Sequence, residues 1–266
     1  MNRRELLGLF GTGLLAARQG GILPQAPAFL ALDHIELFVS NVEKSRDFFA
    51  RIFGNTLLNR NNKRYLKLGA TYMAFEQPRA NGGIQVDHTS IAIKGLEMPK
   101  LHAFLDQQGV AYQDYPSGRD TAVVDADGIR LQLSPENCWS LLKPPNFMPE
   151  DIALVDDPIF RPSGMDHVVL NVKDVDTSAA FYQKFIGTPE RRGNRVWFQV
   201  GASRIALQPA PAGQRPGVFY FCVTAAAFNV EAASGRLQQT GAKVEASESA
   251  GAVRFRDLDG YLIQVM

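Results

Sequence analysis

The chain carries nearly the same message twice, and that duplication limits what it can fold into. Leu32-Asp33-His34-Ile35-Glu36-Leu37-Phe38-Val39 returns as Met165-Asp166-His167-Val168-Val169-Leu170-Asn171-Val172. Further along each copy, Asp125-Ala126-Asp127-Gly128 with Gln132 returns as Asp257-Leu258-Asp259-Gly260 with Gln264. A repeat of this length is a duplicated domain, not a solenoid unit. In 266 residues it leaves two domains, each long enough to bury a core. The second copy also serves as an internal control. Polar residues present only in the first are candidates for chemistry.

The bulk properties exclude several classes. A 45% hydrophobic and 21% charged chain is globular. A net charge of +1 without a basic cluster gives no field to attract nucleic acid or an acidic membrane. Two cysteines, Cys138 and Cys222, are too few for a disulfide framework. At the N-terminus, Arg3-Arg4 precedes the apolar run Leu6 to Ala17, with Ala26-Pro27-Ala28 beyond. That is the order of a charged region, an apolar region and a small-residue cleavage site. The adjacent arginines resemble a bacterial twin-arginine export signal, which carries folded cargo. The run is about 12 residues, short of the roughly 20 that span a bilayer. Residues 1–28 are therefore expected to direct export to the periplasm or beyond. The alternative is a short amphipathic helix on a cytoplasmic protein.

Periodicity supplies the elements. Apolar Ile35, Leu37 and Val39 alternate with His34, Glu36 and Phe38 along a strand spanning 31–39. Ser40 or Asn41 can cap a helix over Val42–Phe53, which Gly54 ends. Strands are predicted near 56–59, 63–68 and 72–76, with Asn61-Asn62 and Gly69-Ala70 in the turns. The order then restarts: a strand at 87–93, a helix at 98–108, and strands near 111–115, 121–125 and 129–133. The second copy repeats it, with strands at 166–172, 195–200, 204–208 and 217–223. Helices are expected at 175–185 and 228–240, and a last hairpin ends at 262–265. Each domain is thus two βαβββ units, residues 29–143 and 163–266. A proline- and aspartate-rich linker, 144–162, is expected to be irregular.

The pattern D-H-[IV]-x-L-x-V, a helix closed by glycine, a later strand opening on His88, and D-x-D-G-x-x-[LI]-Q-[LV] resembles the vicinal oxygen chelate superfamily. That superfamily includes glyoxalase I, extradiol dioxygenases, fosfomycin-resistance transferases and bleomycin-binding proteins. The resemblance covers about residues 30–135 and 163–266. It implies an α+β fold of two tandem domains, in each of which paired βαβββ units form a cupped mixed sheet. It also implies a divalent metal held from the first, fifth and last strands of a domain. Those positions here are His34, His88 and Gln132.

Strand geometry supports the same site, because residues two apart share a face. His34 and Glu36 should then face the cup with Gln132 and Arg130. Two imidazoles and an oxygen donor suit iron, manganese, zinc or nickel. Glutamine stands where the superfamily usually has glutamate, which weakens attraction for a dication. Glu36 or Glu76 is a conceivable substitute, although Ala74 is the residue expected to face inward on Glu76's strand. Glu36 is also the general-base candidate, since a cavity can raise a carboxyl's pKa. Arg130 is expected to hold an anionic group of the substrate or to fix Glu36. Tyr65, Tyr72, Tyr112 and Tyr115 can line the cup or simply pack, and His102 is expected to be solvated on a helix. In the second copy His167 and Gln264 persist, while the fifth-strand position falls on Val218 or Tyr220, leaving a degenerate site.

The reading is a metal-dependent enzyme acting on a small substrate with vicinal oxygens, by lyase, isomerase or dioxygenase chemistry. The alternative is a metal-free protein that sequesters a small ligand, as bleomycin-binding relatives do. Partners are then the small molecule and, left open, a second copy of the chain as a homodimer.

Overall fold

The computed structural model describes residues 25–79, 82–150 and 155–266. The expected export segment lies outside the described residues up to position 24. Among the described residues no helix is long and apolar enough to cross a membrane.

The first domain runs β1 (Phe29–Phe38), α1 (Val42–Phe53), β2 (Leu57–Arg60), β3 (Lys63–Leu68) and β4 (Thr71–Glu76), then β5 (Val86–Ile93), α2 (Met98–Gln107), β6 (Tyr112–Asp114), β7 (Thr121–Val124) and β8 (Arg130–Pro135). A short α3 (Cys138–Leu141) and β9 (Met148–Pro149) follow, and β9 pairs with β2. The stretch expected to be irregular thus adds an edge strand to the sheet. The strand order is β6-β7-β8-β5-β1-β4-β3-β2-β9. β1 pairs β4 in parallel and β5 pairs β8 in parallel, and an antiparallel β1/β5 seam joins the two βαβββ units.

Alternation decides the faces. Ile35, Leu37, Met73, Phe75, Leu131 and Leu133 turn toward the helices and are fully or almost fully buried. Asn41 caps α1 by accepting from the Lys44 N–H, and Gly54, at φ 97°, closes it where a side chain would be strained. Phe49 of α1 packs on Phe75, ring centroids 5.9 Å apart. The opposite face carries His34, Glu36 and His88 beside an aromatic cluster that includes Tyr65, Tyr72 and Phe147.

The second domain repeats the order: β10 (Pro162–Val172), α4 (Val175–Gln183), β11 (Glu190–Arg192), β12 (Arg195–Val200), β13 (Ser203–Pro209), β14 (Gly217–Ala225), α5 (Val230–Gln239), β15 (Lys243–Glu245), β16 (Val253–Arg256) and β17 (Leu262–Val265). Its sheet order is β11-β12-β13-β10-β14-β17-β16-β15.

One continuous apolar core joins the domains, and four of the polar contacts between them form two equivalent pairs. Asp127 accepts from the Lys173 N–H at 2.8 Å, and Asp259 accepts from the Ser40 N–H at 3.0 Å. The Ala70 N–H bonds the Ser163 carbonyl at 3.0 Å, and the Ala202 N–H bonds the Leu30 carbonyl at 2.7 Å. Gly69 and Gly201, both at positive φ, lie so close to those strands that a Cβ would overlap the main chain of Ser163 or Leu30. The first aspartate of each Asp-x-Asp-Gly turn braces its own turn, and Asp125 also accepts from the Tyr182 hydroxyl of the second domain at 3.0 Å. Asp125 accepts from the N–H groups of Asp127 and Ile129, and Asp257 from those of Asp259 and Tyr261.

Burial pushes the Asp257 carboxyl up to about 7, against the opposing hydrogen bonds from Tyr261 and Asp259. A folded-state pKa above the unfolded value of 3.8 means that folding takes up a proton. That contribution is complete below pH 3.8 and is lost as pH rises through 7. Asp257→Asn keeps the acceptor oxygen and removes the charge. Relative to wild type it should gain on the order of 2 kcal/mol, about 5 °C in Tm, between pH 5 and pH 8. Thermal melts at the two pH values check this, and parallel pH profiles of the two proteins would contradict it.

Candidate metal centre

Two β-bulges build the centre. Leu32 and His34 pair with the consecutive residues Ile91 and Ser90, so Asp33 is an extra residue on β1. Glu36 and Leu37 pair with His88 and Val86, so Asp87 is an extra residue on β5. A bulge bends its strand and re-aims a side chain. Here each one brings an aspartate to the histidine that follows it. Asp33 Oδ1 lies 2.7 Å from His34 Nδ1, and Asp87 Oδ2 lies 2.8 Å from His88 Nδ1. A carboxylate accepts only, so it holds the proton on Nδ1 and leaves Nε2 as a bare lone pair.

Those two Nε2 atoms face each other across the β1/β5 seam at 3.1 Å. Two lone pairs at that distance repel unless a proton or a cation lies between them. At that separation both nitrogens could bind one divalent ion, whose bonds to imidazole run about 2.1 Å. The residues present therefore fit a divalent metal. Tyr72 stacks on the His34 ring at 4.5 Å and 13°, which fixes its plane. Burial strips the His88 imidazolium of water and lowers its pKa, and Asp87 and Glu36 only partly oppose this. The ring is thus biased toward its ligating, neutral form.

Glu36 joins the pair, with Oε2 4.0 Å from His88 Nε2 and an ion pair to Lys63. Burial would raise its carboxyl, but Lys63 and His88 outweigh burial and hold it below the ordinary value. That direction is opposite to the one the general-base expectation relied on: a carboxylate clamped by an ammonium is a weaker base and a steadier negative charge. Glu76 is half-buried beside the same pair; its carboxyl is pushed up by burial and by Glu36, against the charge of Lys63. Gln132, buried on β8, stands opposite Ser90, which itself stands opposite His34. The face expected for it is the face it occupies.

Arg130 does not fix Glu36. Its Nη1 bonds both oxygens of Asp87, at 3.1 and 3.0 Å, so it anchors the carboxylate behind His88; Lys63, not Arg130, fixes Glu36. Among the tyrosines, Tyr112 stacks instead on His102 at 4.5 Å, and His102 in turn bonds Asp114 at 2.9 Å. Tyr115 lies 6.3 Å from the His88 ring, and its hydroxyl is buried without a partner. Burial pushes that hydroxyl up to about 12, so it stays a proton-bearing donor. A cavity of about 870 Å³ between the domains reaches Asp87, His88 and Arg130 from one side and Phe219 and Tyr261 from the other.

Asp33, Asp87 and Lys63 escaped the reading of the sequence. The recurring Asp-His dipeptide was the available signal for the first two, since it stands at 33–34, 87–88 and 166–167.

The second domain lacks the pair. Val169 pairs with Tyr220 as Glu36 pairs with His88, so Tyr220, not Val218, holds the fifth-strand position. Its hydroxyl lies 3.1 Å from His167 Nε2, and Gln264 accepts from Arg254 at 3.1 Å. Both retained residues are satisfied by neighbours.

Comparison with known proteins agrees with this architecture. Residues 164–265 match the profile of the Glyoxalase/Bleomycin resistance protein/Dioxygenase superfamily. No curated protein sequence matches the chain significantly. Among solved structures, the 2,3-dioxygenase LapB from Pseudomonas sp. KL28 superposes with a TM-score of 0.69 at 14% identity, covering 91% of this chain and 93% of that one. Homoprotocatechuate 2,3-dioxygenase from Brevibacterium fuscum, in complex with 3,4-dihydroxyphenylacetate, gives 0.66 at 13% identity, covering 92% and 82%. The Mn(II)-bound glyoxalase from Novosphingobium aromaticivorans gives 0.65 at 14%, covering 90% and 82%. The second domain carries the sequence signature of the Glyoxalase/Bleomycin resistance protein/Dioxygenase superfamily, and the chain as a whole has the tandem α+β fold of these dioxygenases and this glyoxalase.

Proposed function

We propose that the first domain holds one divalent metal ion and that the protein is an enzyme acting on a small substrate through two neighbouring oxygen atoms. The observation that carries this reading is the pair of bare Nε2 atoms at 3.1 Å, each imidazole oriented by its own aspartate. His34 and His88 hold the ion, and Gln132 offers a neutral carbonyl oxygen from β8. When bound, such an ion polarises a substrate oxygen and holds two vicinal oxygens at once.

The chain's own residues do the rest. Glu36 supplies negative charge beside the imidazoles, kept ionised by Lys63. Arg130 and Asp87 keep the His88 ring in register, and Tyr115 presents an unpartnered hydroxyl that can donate to a substrate oxygen. Dioxygenases and a glyoxalase share the fold, so the reading covers oxygenation, isomerisation and lyase chemistry alike. Residues 1–28 make export the accompanying proposal, with the site acting outside the cytoplasm.

Titrating metal-stripped protein with manganese, iron(II), zinc and nickel tests the reading. One ion per chain is expected. Absence of binding by all four would remove the enzyme reading, and ligand capture by that metal-free protein would put sequestration in its place. Gln132→Glu restores an anionic donor, so its affinity for the same ions should rise about tenfold or more, about 1.4 kcal/mol per decade. Unchanged affinity would show that residue 132 is not a ligand.

A further inference from the structure

The open face of the second domain has Tyr220 in place of the second histidine and gathers cationic groups around it. Arg254 stands opposite Gln264 on β16, where the first domain has Ala122 opposite Gln132. Its guanidinium lies over the Tyr220 ring at 4.7 Å, and Arg195, which opens β12 as Lys63 opens β3, reaches the same ring at 5.8 Å. The Arg254 side chain is 7% exposed, yet its Nε is buried with no hydrogen-bond partner. Nη2 of Arg254 donates to Gln264 at 3.1 Å, and Nε of Arg195 donates to Gln208 at 2.8 Å.

One carboxylate bridges the two arginines. Glu248 accepts from Arg195 Nη1 at 3.2 Å and from Arg254 Nη1 at 3.5 Å, the outer limit of a hydrogen bond. Its side chain is 59% exposed, so a surface residue supplies the anion for two largely buried cations. The third guanidinium on this face, Arg204, is already taken by Asp166 at 2.6 Å. Arg256 on the same face is likewise taken by Glu245, at 2.7 Å, so Arg195 and Arg254 are left to share Glu248, and one buried N–H of Arg254 has no partner.

We infer that this face of the second domain is a binding site for a small aromatic carboxylate, which takes the place of the Glu248 side chain between Arg195 and Arg254. A carboxylate from solution brings two oxygens to the same two guanidiniums, which are built for such an acceptor. A flat ring finds Trp197 and Phe219 packed against this apolar face. Glu248 then acts as an internal competitor, closing the site when no ligand is present. The inference involves no metal and no residue of the first domain.

Calorimetric titration with benzoate, and with benzamide as its neutral counterpart, tests it. Glu248→Gln lies on the surface and leaves the fold intact. It should bind one benzoate per chain at least about tenfold more tightly than wild type and should not bind benzamide. Adding Arg254→Met or Arg195→Gln to Glu248→Gln should abolish binding; Arg195 lies near the surface, which keeps that arm informative if the buried substitution disturbs folding. Equal benzoate affinity of wild type and Glu248→Gln, binding by neither, or equal binding of benzoate and benzamide would overturn the site.

Discussion

The His88→Ala protein is expected to bind divalent metal about a thousandfold more weakly than wild type and to melt within a few degrees of it. Half of the nitrogen donors go with that ring, and the loss corresponds to about 4 kcal/mol of a metal-binding free energy on the order of 10 kcal/mol or more. Stability should change far less. The two Nε2 lone pairs oppose each other at 3.1 Å in the folded chain, so removing one relieves a repulsion even as it opens space. Asp87 keeps its Arg130 partner. Asp87→Asn should fall between wild type and His88→Ala, roughly 10- to 100-fold weaker, because an amide does not hold the Nδ1 proton as a carboxylate does. The same titration on Tyr220→Ala, in the second domain, should show no change. Metal binding that survives His88→Ala at wild-type strength would place the ion elsewhere.

The second large effect is on folding. Gly201→Ala puts a Cβ 1.9 Å from the Leu30 carbonyl oxygen, at a φ of 55° that an L side chain rarely adopts. The left-handed conformation alone costs about 1–2 kcal/mol, and the main chains must separate as well. A loss of about 4 kcal/mol, roughly 10 °C or more in Tm, is expected. Gly69→Ala, against Ser163, should behave alike. Gly235→Ala, in a helix with open space around it, should be neutral or slightly stabilising. Equal melting of Gly201→Ala and Gly235→Ala would mean that the close approach to Leu30 carries no weight.

Much of this was legible in the chain. The duplication set the tandem fold, the helix Val42–Phe53 falls where its cap and glycine put it, and β3, β12 and β17 have the expected bounds. The histidine pair followed from the resemblance, which placed ligands on the first and fifth strands of a domain; only strand pairing showed that the second copy has Tyr220 at the fifth-strand position. The bulges stayed hidden, because strict alternation sends Asp33 and Asp87 to the face opposite their histidines. Only an extra residue in the strand reverses that. Lys63 opens the strand after the Asn61-Asn62 turn, and nothing in its spacing shows that its ammonium reaches inward onto Glu36, which inverted the expected direction of that carboxyl's pKa. Arg254 was invisible for a related reason. An arginine in a short strand reads as solvated, and nothing in its spacing tells of the Tyr220 ring beneath it.

Each copy presents both an aspartate and the strand end that such an aspartate caps, and both a glycine and the strand that such a glycine admits. A surface that contains both halves of its own contact is self-complementary, and two identical copies would meet through it about a two-fold axis. The molecule is in that sense an isologous dimer whose subunits have been joined head to tail. Tethering frees the copies to diverge, so that one can keep paired histidines while the other gathers arginines.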